Sequence, residues 1–198
     1  MILRCTQKFL TELRLKKADT AAQPPATHPL DEWYAHVFTL YPRRKCAVFA
    51  HSKTMFCFFA LDLKRKDLDN IAVLFRQRLG KALFDEHYPA EVIKFFNDRM
   101  REIRIATTTD RMIIGFINRM VQEIQWHARE SSDSRDSENE FVLGARYRRG
   151  VYMALPHEPV RLMRDILLNC EELKGVSVPE SLNREETRRH LGLEFVDI

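Results

Sequence analysis

Apolar residues crowd one part of this chain and are spaced out along the rest. From Trp33 to Leu61 they run almost without interruption, WYAHVFTLYPRRKCAVFAHSKTMFCFFAL. Three stretches there are rich in aromatic and β-branched residues, Trp33–Leu40, Cys46–Ala50 and Thr54–Ala60, and read as strands. The clusters between them, Tyr41-Pro42-Arg43-Arg44-Lys45 and His51-Ser52-Lys53, are turn-like, and connections so short permit only antiparallel neighbours. Along the middle strand Cys46, Val48 and Ala50 share one face while Ala47 and Phe49 share the other. Neither face is polar, so the strand is covered on both sides or is central with one face only lightly exposed, and helices must pack on the meander.

Around it the spacing changes to that of helices. Met1–Arg4 reads as a short strand, followed by Thr6 as the N-cap of a helix to about Leu15 that places Phe9, Leu10 and Leu13 on one face. Residues 17–30, with Pro24, Pro25 and Pro29, read as a loop. Asp67 is the expected N-cap of a helix carrying Leu68, Ile71, Leu74, Phe75, Leu79 and Ala82, and Pro89 opens another with Val92, Ile93, Phe95 and Phe96. Glu102–Ala106 is a strand candidate. After it Asp110 starts a helix whose core row is Met112, Phe116, Met120 and Ile124, with Ile113, Ile117 and Val121 beside it. Residues 130–140, ESSDSRDSENE, hold nothing to bury and predict a flexible loop. Pro159–Asn169 predicts an amphipathic helix, and Asn183-x-x-Glu186 a capping-box start in an acidic tail from Glu171. The fold class is therefore α+β: an antiparallel meander packed with amphipathic helices, one domain over 1–170 and a tail over 171–198.

Composition changes this picture little. With 198 residues, 45% apolar and 30% charged, one well-buried domain is expected, and no apolar run reaches the roughly 20 residues of a membrane span. The start, MILRCTQKFL, lacks a signal-peptide core, which places the protein in the cytoplasm. Cys5, Cys46, Cys57 and Cys170 stand singly, with no C-x-x-C pair and no histidine at ligand spacing, so free buried thiols are expected, and no metal site or cofactor.

Charge is more telling by segment. Residues 1–66 hold 12 Lys/Arg against 5 Asp/Glu, residues 67–130 hold 10 against 10, and residues 171–198 hold 4 against 7. A basic N-terminal third favours a polyanionic partner.

Three stretches, MILRCTQKFLTEL, RRKCAVFAHSKTMFCFF and TTTDRMIIGFINRM, resemble in that order a bacterial family of domains of unknown function. Its members open with M-I-x-R-C-T-x-K-L-L, continue with an R-R-K-C strand and later carry T-x-x-R-S-x-x-G-x-M-N. The resemblance spans residues 1 to 167. The positions that match are Arg4, Cys5, Thr6, Lys8, Arg43, Arg44, Lys45, Cys46, Thr108, Arg111, Gly115 and Asn118, while Met112 and Arg119 depart from the pattern. The resemblance implies a small bacterial α+β domain, sometimes associated with plasmids or mobile elements, and brings no catalytic residues.

Three functions follow as expectations. A nucleic-acid-binding module would track phosphates with Arg43, Arg44 and Lys45, Lys64, Arg65 and Lys66, and Arg146, Arg148 and Arg149, with Tyr147 for stacking. A protein-interaction component of a toxin–antitoxin, plasmid or phage-defence system would dock its C-terminal tail on a protein partner. A small enzyme on a phosphate-containing substrate would use a polar site of Arg4, Lys8, His36, Asp110, Arg111 and Asn118. No helix-turn-helix, Walker loop or G-x-S-x-G supports a more definite chemistry, and Thr108, Asp110, Arg111 and Asn118 also read as a helix cap with a buried hydrogen-bond network. The first reading leads and no membrane partner is expected.

Overall fold

The computed structural model describes residues 1–20, 28–41, 43–108, 110–130, 140–150 and 155–178. Residues 21–27 of the expected 17–30 loop, residues 131–139 of the expected 130–140 loop and the helix start at Asn183 lie outside the described residues.

Five strands, β1 (Ile2–Cys5), β2 (Glu32–Leu40), β3 (Arg44–His51), β4 (Cys57–Ala60) and β5 (Arg104–Thr107), form one sheet in the order β4-β3-β2-β1-β5. β2, β3 and β4 are the expected antiparallel meander, with Phe38 opposite Cys46 and Ala50 opposite Cys57. β1 is inserted between β2 and β5 and runs parallel to both, with Leu3 opposite Trp33 and Ile105. The sheet is thus mixed. A parallel neighbour needs a crossover, and the chain supplies α1 (Gln7–Glu12) before β2, then α2 (Arg65–Asp69), α3 (Ile71–Asp85) and α4 (Ala90–Arg99) before β5. α5 (Arg111–Glu130), α6 (Glu140–Arg148) and α7 (Pro159–Leu168) follow.

Alternation along the strands gives the sheet two apolar faces, and each is covered. Leu3, Trp33, Ala35, Ala47, Phe49 and Phe58 meet Phe9 and Leu10 of α1, Leu74, Phe75 and Leu79 of α3, Phe96 of α4 and Met163 of α7. Trp33 is the hub, its ring 5.7 Å from Phe58 and 5.6 Å from Phe75, while Phe49 stacks on Phe58 at 5.0 Å. On the other face Cys46, Val48 and Ala50 meet Ile113, Ile117, Met120 and Ile124 of α5 and Leu143 and Tyr147 of α6. Leu173 and Val178, beyond the expected boundary at residue 170, are buried against the first face.

Several expectations need correction. β4 starts at Cys57, not Thr54, because Met55 takes a left-handed φ of 55° and the bonds Met55 N–H to His51 O and His51 N–H to Phe56 O close a longer turn. The helix expected from Asp67 begins earlier: Lys64 is its N-cap, and Asp67 at the third position accepts the Lys64 N–H at 2.8 Å. Asn70 then separates α2 from α3. Pro89 is the N-cap of α4 and lies just outside its first turn. Met112 is 75% exposed, so the buried row of α5 runs through Ile113 instead. The described thiols are free and buried. Cys57 sits opposite Ala50, four positions from Cys46 along β3, a separation of about 13 Å that keeps the two apart. Among the described residues no helix is long and apolar enough to cross a membrane.

Candidate functional site

The β2–β3 hairpin projects past the end of β1, and its tip gathers two of the three basic clusters. Leu63 N–H donates to Lys45 O at 2.8 Å, which lays Lys64, Arg65 and Lys66 beside the start of β3. Both clusters meet at the end of α1: Lys45 Nζ reaches Glu12 Oε2 at 2.6 Å and Arg65 Nη1 donates to the Glu12 carbonyl at 2.7 Å. Gln125 of α5 buttresses the other side by donating to Thr39 O at 2.8 Å.

Three of these six cations have carboxylate partners. Arg44 holds Asp62 through two bonds of 2.7 and 2.8 Å, keeping that carboxyl below its ordinary range, and Arg65 pairs with Asp69 at 2.6 Å. Lys45 has Glu12. Arg43, Lys64 and Lys66 are exposed and form no ion pair with any described residue. Tyr41, immediately before the turn, is 75% exposed. This aromatic is the one that sequence reasoning passed over, and its place next to Pro42-Arg43-Arg44 was the available signal.

The third cluster does not join them. Arg148 is 1% exposed and donates to Glu86 Oε1 at 2.6 Å and to Cys57 O at 3.2 Å, with its guanidinium over the Phe56 ring at 5.5 Å. Arg149 takes the other Glu86 oxygen at 2.8 Å. Tyr147 is buried, its ring 5.9 Å from Phe59, so it cannot stack on a base, and of this run Arg146 alone is exposed, with Arg149 half-buried. Gly144 is required here: a Cβ at that position would collide with Arg148 Nη1. These residues pin α6 to β4 and to the end of α3.

The polar set dissolves in part. Arg4 is buried and paired with Glu32. Thr6 caps α1 by accepting Phe9 N–H at 3.4 Å and also meets His36 Nδ1 at 3.1 Å. Burial, with Lys8 nearby, pushes the His36 pKa down to about 4, so the ring is neutral at neutral pH. Asp110 Oδ1 caps α5 by accepting Met112 N–H at 2.8 Å and Ile113 N–H at 3.2 Å. Arg111 and Asn118 face solvent, which corrects the expected buried network. No nucleophile stands beside a base that a third group orients, so this set gives no catalytic constellation among the described residues.

A family model described as a domain of unknown function, DUF6933, matches residues 2–148. It stops 19 residues short of the resemblance read from the sequence, which reached residue 167. No curated protein and no solved structure matches the chain.

Proposed function

We propose, for a chain that belongs to the DUF6933 family of domains of unknown function, that it binds single-stranded nucleic acid with the tip of the β2–β3 hairpin. The observation that carries this reading is the exposed Tyr41 beside two adjoining cation clusters, Arg43–Lys45 and Lys64–Lys66. An exposed aromatic offers a π-face to any base, and flanking cations track the backbone phosphates. The Arg44–Asp62 and Arg65–Asp69 pairs leave their carboxylates mostly in solvent, so they contribute little and can yield to phosphate. Arg43, Lys64 and Lys66 are exposed and form no ion pair with any described residue.

Fluorescence anisotropy on unstructured oligonucleotides across a salt series tests it. With three phosphates neutralised, the slope of log K against log salt should be about −2 on a single strand. Tyr41→Ala should weaken binding by roughly 1–3 kcal/mol. No binding at low salt, or equal binding by the Tyr41→Ala variant, would end this reading.

A second reading, protein docking, has one observation behind it. Met112 and Trp126 are 75% and 56% exposed on α5, and their spacing of 14 residues puts them on one face. Capture of a protein partner by the wild-type chain but not by Trp126→Ala would favour it.

A further inference from the structure

Where the chain enters β2 and where α7 ends, three side chains of different chemistry come together. His28 Nε2 lies 3.8 Å from Cys170 Sγ and 3.9 Å from Glu172 Oε2, and Cys170 Sγ lies 3.1 Å from the same oxygen. A tetrahedral zinc ion, with nitrogen and oxygen at about 2.0–2.1 Å and sulfur at about 2.3 Å, spaces its donor atoms roughly 3.3–3.6 Å apart. Each edge of this triangle is within about 0.6 Å of that requirement.

The surroundings orient the donors. Glu172 turns its other oxygen, Oε1, toward Arg99 Nη1 at 3.6 Å, and Arg99 is itself fixed by Asp31 through bonds of 2.8 and 2.7 Å. Phe95 supports both sides, with Arg99 over its ring at 5.2 Å and His28 edge-on at 6.1 Å. An outer contact such as the one Arg99 makes with Glu172 is what holds a ligating carboxylate in place. A cavity of about 360 Å³ opens alongside, lined by His28, Cys170, Asp165 and Asn169 among others. It gives an entry path and room for a water as fourth ligand.

Hydrogen bonding alone serves the His28 ring poorly. Leu30 N–H donates to His28 Nδ1 at 3.2 Å, which puts the ring proton on Nε2 in the neutral imidazole. Among the described residues that Nε2–H has before it a sulfur at 3.8 Å and an oxygen at 3.9 Å, both too far for a good bond. The Cys170 thiol, for its part, donates to the carboxylate.

The geometry points to a divalent transition-metal site of the zinc class, which we assign to His28, Cys170 and Glu172 with one coordination position open to the cavity. Binding releases the thiol proton to solvent and moves the imidazole proton from Nε2 to Nδ1, at the cost of the Leu30 contact. Thiolate and carboxylate together balance the two charges of the ion. Mixed nitrogen, sulfur and oxygen donors suit zinc and cobalt rather than magnesium or calcium.

The test uses the full chain, tag-free and treated with chelator, titrated with Co(II) and followed by absorption. The expected result is one equivalent bound, with thiolate-to-cobalt charge transfer and the ligand-field bands of a tetrahedral site, and release of cobalt by Zn(II). Cys170→Ser should abolish the charge-transfer band, and Glu172→Gln should weaken cobalt binding at least tenfold. Glu172 is exposed, so that variant keeps the test decisive if Cys170→Ser does not fold. Absence of the band from the wild-type chain, its survival in Cys170→Ser, or unchanged affinity in Glu172→Gln would each overturn the assignment.

Discussion

The hairpin tip and the end of α6 each set arginines beside a tyrosine, and the molecule treats them in opposite ways. At the tip the cations lie at the end of the strands, where their partners Asp62 and Asp69 are themselves in solvent, and Tyr41 is bare. At α6 the guanidinium of Arg148 is sealed between Phe56, Cys57 O and Glu86, and Tyr147 fills the core against Phe59. The difference is the partner. A buried carboxylate makes burial of an arginine tolerable, and Gly144 supplies the space for it. Lacking both, the hairpin cations stay where water or a ligand can reach them.

The strongest way to break this comparison is to remove the inner pair. Arg148→Met leaves Glu86 buried with one partner, Arg149, and should destabilise the protein by about 3–5 kcal/mol in urea unfolding. For a chain of this length that lowers Tm by roughly 10 °C. A loss below about 1 kcal/mol would show that Arg148 is no better anchored than the cations at the tip.

A second inner polar group extends the contrast to pH. His51 donates from Nε2 to Pro29 O at 2.9 Å, while its Nδ1 accepts the Thr54 hydroxyl at 3.0 Å, and Thr54 Oγ1 accepts Phe56 N–H at 3.1 Å. Burial is the main cause that pushes its pKa down to about 4 from an ordinary value near 6.5. The folded state therefore resists a proton that the unfolded chain accepts. The associated stability is fully present above pH 6.5 and is lost as pH falls toward 4. Between pH 7 and pH 5 the loss from this group should be about 2 kcal/mol. Unfolding measured at both pH values in the wild type and in His51→Gln checks it: the variant should lose less over that interval, and an equal loss would remove His51 as the cause.

Much of the sheet was legible because strand alternation is a local property. The meander, the assignment of Cys46, Val48 and Ala50 to one face, and the caps Thr6 and Asp110 all follow from residues close together in the chain. What could not be read was long-range. The parallel insertion of β1 between β2 and β5 depends on crossovers whose destination no spacing encodes. The burial of Arg148 depends on Glu86, 62 residues away, and the meeting of His28 with Cys170 spans 142. A run such as Arg146-Tyr147-Arg148-Arg149 has the same composition whether it faces water or a carboxylate. Tyr41 was readable in principle, since an aromatic flanking a Pro-Arg-Arg turn has little core to reach.

The smallest effect on stability sharpens the comparison most. Arg43→Ala, Lys64→Ala and Lys66→Ala combined remove three exposed cations that form no ion pair with any described residue, so unfolding should shift by no more than about 0.5 kcal/mol. The same triple variant should flatten the salt dependence of oligonucleotide binding by about two units. Arg148→Met should do the reverse, costing stability while leaving the salt slope of the folded fraction unchanged. If the triple variant instead unfolds early, the hairpin cations are structural like those of α6, and the distinction between the two regions fails. If it stays folded and keeps its slope, the distinction stands but the phosphate contacts lie elsewhere, which would turn attention to Arg44, Lys45 and Arg65 releasing their carboxylates.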